Sequence, residues 1–356
     1  MNPDTARISS SVNRLRHQCA TGLLLAIAPL NAVPAQSSWE PLKVETTASF
    51  RGLSVVDDRV VWASGTRGTV IRSTDGGDTW RVDSIPGAGT FDLRAIHAQS
   101  DQVAHVAATA GRIWRTTDGG RTWSLKYQAA DTSMFLDAIV FRNDREGMAL
   151  GDPMGGRFVI LVTLDGGDTW SMALDPLRPA ALEGEAAFAA SGTSLVFKTP
   201  LHGWLGTGGA ASRVFRTTNG GQSWIAAPSA IPPRGGTAGV FSVAFGDAMH
   251  GVVVGGDYER PDSSNGTAAL TSDGGVTWEP ASRFPRGYRS GVAMRRVNAD
   301  DLIAVAVGTT GSDVSRDGGR TWSPLDGTAF NAVQFGPSGV AFAVGARGRV
   351  ARLVVR

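Results

Sequence analysis

Short runs of β-branched, apolar and aromatic residues alternate along the chain with turns rich in glycine and aspartate. Arg59-Val60-Val61-Trp62-Ala63-Ser64, the loop Gly65-Thr66-Arg67-Gly68 and Thr69-Val70-Ile71-Arg72-Ser73 form one unit, followed by an Asp-Gly-Gly turn and Trp80. Such runs, bounded by turn residues, predict antiparallel strands joined by hairpins. The stretch Ser73-Thr74-Asp75-Gly76-Gly77-Asp78-Thr79-Trp80 has counterparts ending at Trp123, Trp170, Trp224, Trp278 and Trp322, spaced by 43, 47, 54, 54 and 44 residues. Each interval holds four short strands and their turns, the length of a propeller blade.

Asp75, Asp118, Asp165, Asn219, Asp273 and Asp317 open these turns. A short acidic or amide side chain accepts nearby backbone N–H groups, and the paired glycines supply positive φ. We read these residues as turn locks rather than as metal or catalytic carboxylates, since Asn219 fills the position without a charge. A seventh unit lacks the turn: Gly345-Ala346-Arg347-Gly348-Arg349-Val350-Ala351-Arg352 copies Gly65 to Arg72, and the chain stops one strand later. Trp39-Glu40-Pro41-Leu42 resembles the outer-strand segment Trp322-Ser323-Pro324-Leu325. The expectation is an all-β, seven-bladed β-propeller of four-stranded antiparallel blades over 36–356, closed by its N-terminal strand, which removes free sheet edges.

Residues 1–35 read as a signal peptide. Arg7, Arg14 and Arg16 precede an apolar core from Ala20 to Leu30, and Val33-Pro34-Ala35 offers a cleavage site. The core is too short to span a bilayer. The expectation is therefore an exported protein, periplasmic or extracellular, with no stable membrane anchor. The single cysteine, Cys19, falls in this leader, so no disulfide or thiol chemistry is expected of the domain. Removing the three arginines and Asp4 leaves 31 basic and 31 acidic residues, and the +2 charge of the whole chain vanishes. Without a basic excess, nucleic-acid binding loses its simplest support.

In a four-stranded meander the start of the innermost strand and the loop between strands two and three share one face. Aligning the innermost strands places Arg51, Arg94, Asp137, Glu185, Ser242, Arg289 and Asn331 in a ring at the channel mouth. Desolvated charges of this kind are paired or used. Three arginines suit a carboxylate clamp, and Asp137 with Glu185 offers an acid/base pair; an internal salt-bridge ring is the structural alternative. The glycine loops add Arg67, Arg112, Arg157, Arg213, Arg260 and Arg347 to that face, and two longer loops carry Asp152 and Tyr258. His97, His105, His202 and His250 lack metal-ligand spacing, so no metal site is expected. Glycine clusters such as Gly206-Thr207-Gly208-Gly209 lack the strand and helix of a nucleotide fold, and no cofactor is expected.

The recurring Asp-Gly-Gly-x-Thr-Trp turns resemble Asp-box, or bacterial neuraminidase, repeats. Across 36–356 the pattern of glycine loop, Val/Ile-x-Arg-Ser/Thr and Asp-Gly-Gly-x-Thr-Trp resembles the photosystem II stability and assembly factor propellers and their bacterial relatives. That resemblance implies a non-catalytic, monomeric extracytoplasmic scaffold that holds a protein client, such as a membrane-protein precursor, on an arginine-rich face. A carboxylate-bearing ligand is the other partner class. Asp-box propellers also occur in sialidases and xyloglucan-degrading enzymes, so glycoside hydrolysis through Asp137 and Glu185, with Tyr258 or Tyr288 as nucleophile, is the enzymatic alternative. Against it, the Arg-Ile-Pro opening of sialidases is absent, and xyloglucan enzymes use two propellers. A generic surface interaction module is the third reading.

Overall fold

A computed structural model describes residues 37–298 and 301–355. The leader read at 1–35 lies outside them. The described chain forms seven antiparallel sheets in sequence order around a central channel, the arrangement of a seven-bladed β-propeller. The first blade shows the plan, with Phe50–Val55 innermost, then Val61–Gly65, Thr69–Ser73 and Arg81–Ser84 at the rim. The inner strands are buried on both faces and the rim strand is largely exposed, which matches their apolar and polar compositions.

The turns that open on Asp or Asn explain why each rim strand folds back. Asp75 Oδ1 accepts the Thr79 amide at 2.9 Å and its Oδ2 accepts the Thr79 hydroxyl at 2.6 Å, while Ser73 Oγ takes the Gly77 amide at 2.8 Å. Asn219 repeats this with the polarity adjusted: Oδ1 accepts the Ser223 amide at 3.0 Å, and Nδ2 donates to Ser223 Oγ at 2.8 Å. The second glycine of each turn lies against the preceding blade. A Cβ added at Gly167 would meet His105 Cε1 at 2.4 Å, and one at Gly319 would meet Val252 Cγ1 at 2.2 Å. The turn is thus both a hairpin and an inter-blade contact.

In the seventh sheet the rim strand is Ser37–Leu42, antiparallel to Val350–Val355 with Trp39 opposite Leu353. Trp39 is buried, donates from Nε1 to Ser312 Oγ at 2.9 Å, and packs on Phe330 with ring centroids 5.1 Å apart.

The fourth and fifth blades depart from the expected plan. Glu185–Ala186 is not the innermost strand of blade four; that role falls to Leu195–Phe197. Glu185–Ala186 pairs instead with Gly208–Gly209, and the two extend the fifth sheet to six strands through the long Gly235–Phe245. The chain between Ala186 and Ser194 then runs into the channel. Its Gly192 sits where an added Cβ would lie 3.2 Å from Ala95 of blade two, and Ser191 Cβ would lie 3.4 Å from one added at Gly291 of blade six. Thr193 Oγ1 shares a 2.6 Å hydrogen bond with Ser242 Oγ of blade five. The crossover therefore bridges the channel between innermost strands and gives the mouth a floor.

Candidate functional site

Near the start of four innermost strands the ladder slips by one residue: between Phe50 and Gly52, Leu93 and Ala95, Leu136 and Ala138, and Val240 and Ser242. A bulge leaves its extra residue unpaired and re-aims that side chain. The residues so released are Arg51, Arg94, Asp137 and Phe241, and all four line a single cavity of about 610 Å³. Ser290 and Asn331 reach it from blades six and seven.

Around the mouth the wall is divided. Blades one to three present Arg51, Arg94 and Asp137, with Asp152 from the second strand of blade three. Much of the remaining lining is aromatic. Phe188 and Phe241 stack with centroids 3.9 Å apart, Tyr288 meets Phe241 edge-on at 4.8 Å, and the half-exposed Tyr258 meets it edge-on at 6.1 Å.

The polar half is short of internal partners. Among the described residues, Arg51 makes no hydrogen bond or ion pair; burial and the neighbouring Arg94 lower its proton affinity. Arg94 bonds Asp92 at 3.1 Å through Nη2 and lies over the Phe135 ring at 5.4 Å, but its buried Nε has no partner. Asp137 is 1% exposed and its Oδ2 has no partner. Burial holds the Asp137 carboxyl well above the usual range, Asp152 adds to the shift, and Arg94 opposes it. Asp152 is also raised by burial, although its Oδ1 accepts the Ala187 amide of the crossover at 3.0 Å. Unpaired polar groups in a buried cleft mark candidate functional sites.

The ring expected from sequence is corrected at three of its seven members. Ser242 follows its bulge rather than occupying it, and its hydroxyl accepts the Val292 amide at 2.9 Å; Phe241 stands in the cavity instead. Arg289 occupies a core position, 0% exposed, with Nε on Asp313 Oδ2 at 2.8 Å and Nη1 on Tyr288 O and Thr310 Oγ1; Ser290 lines the cavity in its place. Glu185 does not line the cavity. Its carboxylate is taken by Arg213, by the Thr207 hydroxyl and by the Leu182 amide, so it does not pair with Asp137.

The glycine-loop arginines divide similarly. Arg213 is bound to Glu185 and lies over Phe215 at 4.5 Å, and Arg157 donates to Arg178 O at 2.9 Å. Arg112 covers Phe91 at 4.3 Å. Arg260 faces Asp257 at 3.7 Å on a largely exposed side chain. Arg67 and Arg347 are exposed, each in a left-handed turn at φ 58°. Sequence reasoning missed Phe188 and Phe241. Phe241 was readable from the Val240-Phe241-Ser242 run only with the bulge position in hand. Among the described residues no group of three or more His, Cys, Asp or Glu is placed to hold a metal ion, and no helix is long and apolar enough to cross a membrane.

The fold and this channel mouth define the class: a seven-bladed β-propeller with a ligand-sized cavity on its loop face. No protein-family model matches the chain, and no curated protein matches it. Among solved structures it is similar to YCF48 bound to D1 peptide, with a TM-score of 0.63 and 16% identity over 93% of this chain and 100% of that one. It is also similar to YCF48 from Cyanidioschyzon merolae, with a TM-score of 0.62 and 18% identity over 88% of this chain and 98% of that one. The GH74 xyloglucanase from Xanthomonas campestris has a TM-score of 0.61 and 17% identity over 88% of this chain, but only 53% of the enzyme is covered. At these identities the likeness establishes the propeller fold.

Proposed function

We propose that this chain is an exported, non-catalytic Asp-box propeller that holds a segment of a protein client at the channel mouth on its loop face. The observation that carries the reading is the cavity itself, whose lining joins Arg51, Arg94 and Asp137, each short of internal partners, to Phe188, Phe241, Tyr258 and Tyr288. An apolar cleft with a few convergent polar groups is the usual form of a binding site. The similar YCF48 structure with a bound D1 peptide supports peptide binding as the mode. Arg67 and Arg347, exposed on neighbouring loops, extend the basic surface available to a client.

Capture from native envelope extract tests the reading. Protein spanning 36–356 is expected to retain a specific membrane or envelope protein, and Arg51→Gln/Arg94→Gln is expected to lose it while keeping the wild-type melting temperature. The triple variant Arg67→Ala/Arg112→Ala/Arg347→Ala is expected to weaken capture less. Undiminished capture by the Arg51/Arg94 variant would remove the cavity from the account.

One observation favours glycoside hydrolysis as a second reading: Asp137 and Asp152 share the cavity, both held toward the neutral acid. Release of reducing sugar from a β-glucan or sialoside panel, abolished by Asp137→Asn, would establish that reading in place of the scaffold.

A further inference from the structure

The crossover through Ala190, Ser191 and Gly192 runs between the innermost strands of blades two and six beneath the cavity. What the polar half lacks is an acceptor. Arg51 has no partner among the described residues, Arg94 has one donor bonded to Asp92 and its Nε free, and Asp137 has a buried oxygen with no partner. These side chains project from bulges at equivalent points of three consecutive blades, so they converge on one part of the cavity. If the chain is a client scaffold, the reading on which this inference rests, the three donors say what enters.

We infer that the cavity takes the free carboxyl terminus of a polypeptide, held by Arg51, Arg94 and Asp137, with the last side chain against Phe188, Phe241 and Tyr288. Two guanidinium groups supply charge-assisted donors suited to a carboxylate. An ionised Asp137 would repel it; a neutral Asp137 completes the set. The groups that face Asp137 are Asp152 from its own blade and Arg94 from blade two, with Arg51 beyond. Burial and Asp152 keep the proton on Asp137, and the arriving carboxylate holds it more firmly. Binding is then linked to a proton. Affinity is full where Asp137 is protonated and falls as pH rises through its titration.

Fluorescence anisotropy with labelled Gly-Ser-Gly-Ala-Ala-Xaa peptides, Xaa varied over the twenty residues, tests this on protein spanning 36–356. The free-acid peptides ending in an apolar or aromatic residue are expected to bind at least about tenfold more tightly than their C-terminal amides, the equivalent of one charge-assisted hydrogen bond. Their affinity is expected to fall with rising pH. Asp137→Asn keeps a donor but not the titration, so it is expected to bind with a flat pH profile; Arg51→Gln is expected to lose the preference for acid over amide. Arg121→Ala, on an Asp-Gly-Gly turn, serves as the unaffected control. Equal binding of acids and amides would overturn end recognition while leaving the client reading intact. Failure of every free-acid peptide to bind would also overturn it, and client capture would then decide the broader reading. A pH profile shared by wild type and Asp137→Asn would remove Asp137 from the site.

Discussion

Two kinds of side chain in this propeller tie stability to pH, and they act in different windows. Asp75 and Asp118 are each lowered from 3.8 to about 2, chiefly by the hydroxyls of Thr79 and Thr122 and then by the amides of the same residues. A carboxylate depressed by folding stabilises the native state above its unfolded value and loses that contribution as pH falls through its folded value. The turn contribution is therefore present above pH 3.8 and lost between there and about pH 2. Asp75→Asn/Asp118→Asn, which installs the amide already present at Asn219, is expected to flatten the urea midpoint across that window with little change at neutral pH. An unchanged slope would show that other groups govern it. His105 and His97, stacked on Phe141 at 4.2 and 5.4 Å, titrate in the opposite sense to a paired histidine. Burial first, with His97 adding for His105, lowers them from 6.5 to about 3 and about 4 respectively. Their neutral native forms make the unfolded chain the better proton acceptor, so stability erodes from pH 6.5 downward. His105→Phe is expected to remove part of that erosion between pH 6.5 and about 3, read by thermal melts; a parallel loss in variant and wild type would contradict this assignment.

At the scale of the element, the turn glycines are constrained in two ways that separate experimentally. Gly319 has φ +95° and would carry a Cβ 2.2 Å from Val252 Cγ1, whereas Gly155 has φ +63° and nothing within 4 Å. Gly155→Ala is expected to cost roughly 1 kcal/mol for the left-handed backbone alone. Gly319→Ala adds a clash with the preceding blade and is expected to cost on the order of 3 kcal/mol, since overpacking carries its own penalty. Equal urea midpoints for the two variants would mean that the blades yield at this contact. The strands, hairpins and turns were legible in the sequence because β-rich apolar runs and Asp-Gly-Gly punctuation are local signals. The bulges were not. In blades one to three the aligned Arg51, Arg94 and Asp137 do sit at the bulge, but in blade five the alignment on Phe241 runs one residue past it, so Ser242 was expected where Phe241 stands. In blade six the strand begins only at Gly291, so the aligned Arg289 falls in the core and Ser290 reaches the cavity. Blade four was hidden for another reason. Its Ala-rich approach, Ala186 to Ala190, carries no alternation, so nothing local distinguishes a strand from a segment that crosses the channel.

For the whole molecule, seven sheets surround one channel, and the face with the glycine loops differs from the face with the Asp-Gly-Gly turns. The first shows the cavity of about 610 Å³; the second carries the inter-blade glycine contacts and two smaller clefts. Trp39 belongs to the ring as a whole, because its Nε1 bond to Ser312 ties the rim strand of the seventh sheet to the sixth. Trp39→Ala is expected to destabilise by about 3 kcal/mol or more, the usual range for a large buried aromatic. A melting temperature within a degree or so of wild type would show that the rim strand contributes little. The central claim is that a client docks on the loop face at the channel mouth. The direct test places a photo-crosslinking phenylalanine derivative at Tyr258, exposed at that mouth, or at Val276, exposed on an Asp-Gly-Gly turn, in whole cells. The account predicts a discrete crosslinked partner from position 258 and none from position 276; a partner trapped only from position 276 would place the working surface on the opposite face and contradict it.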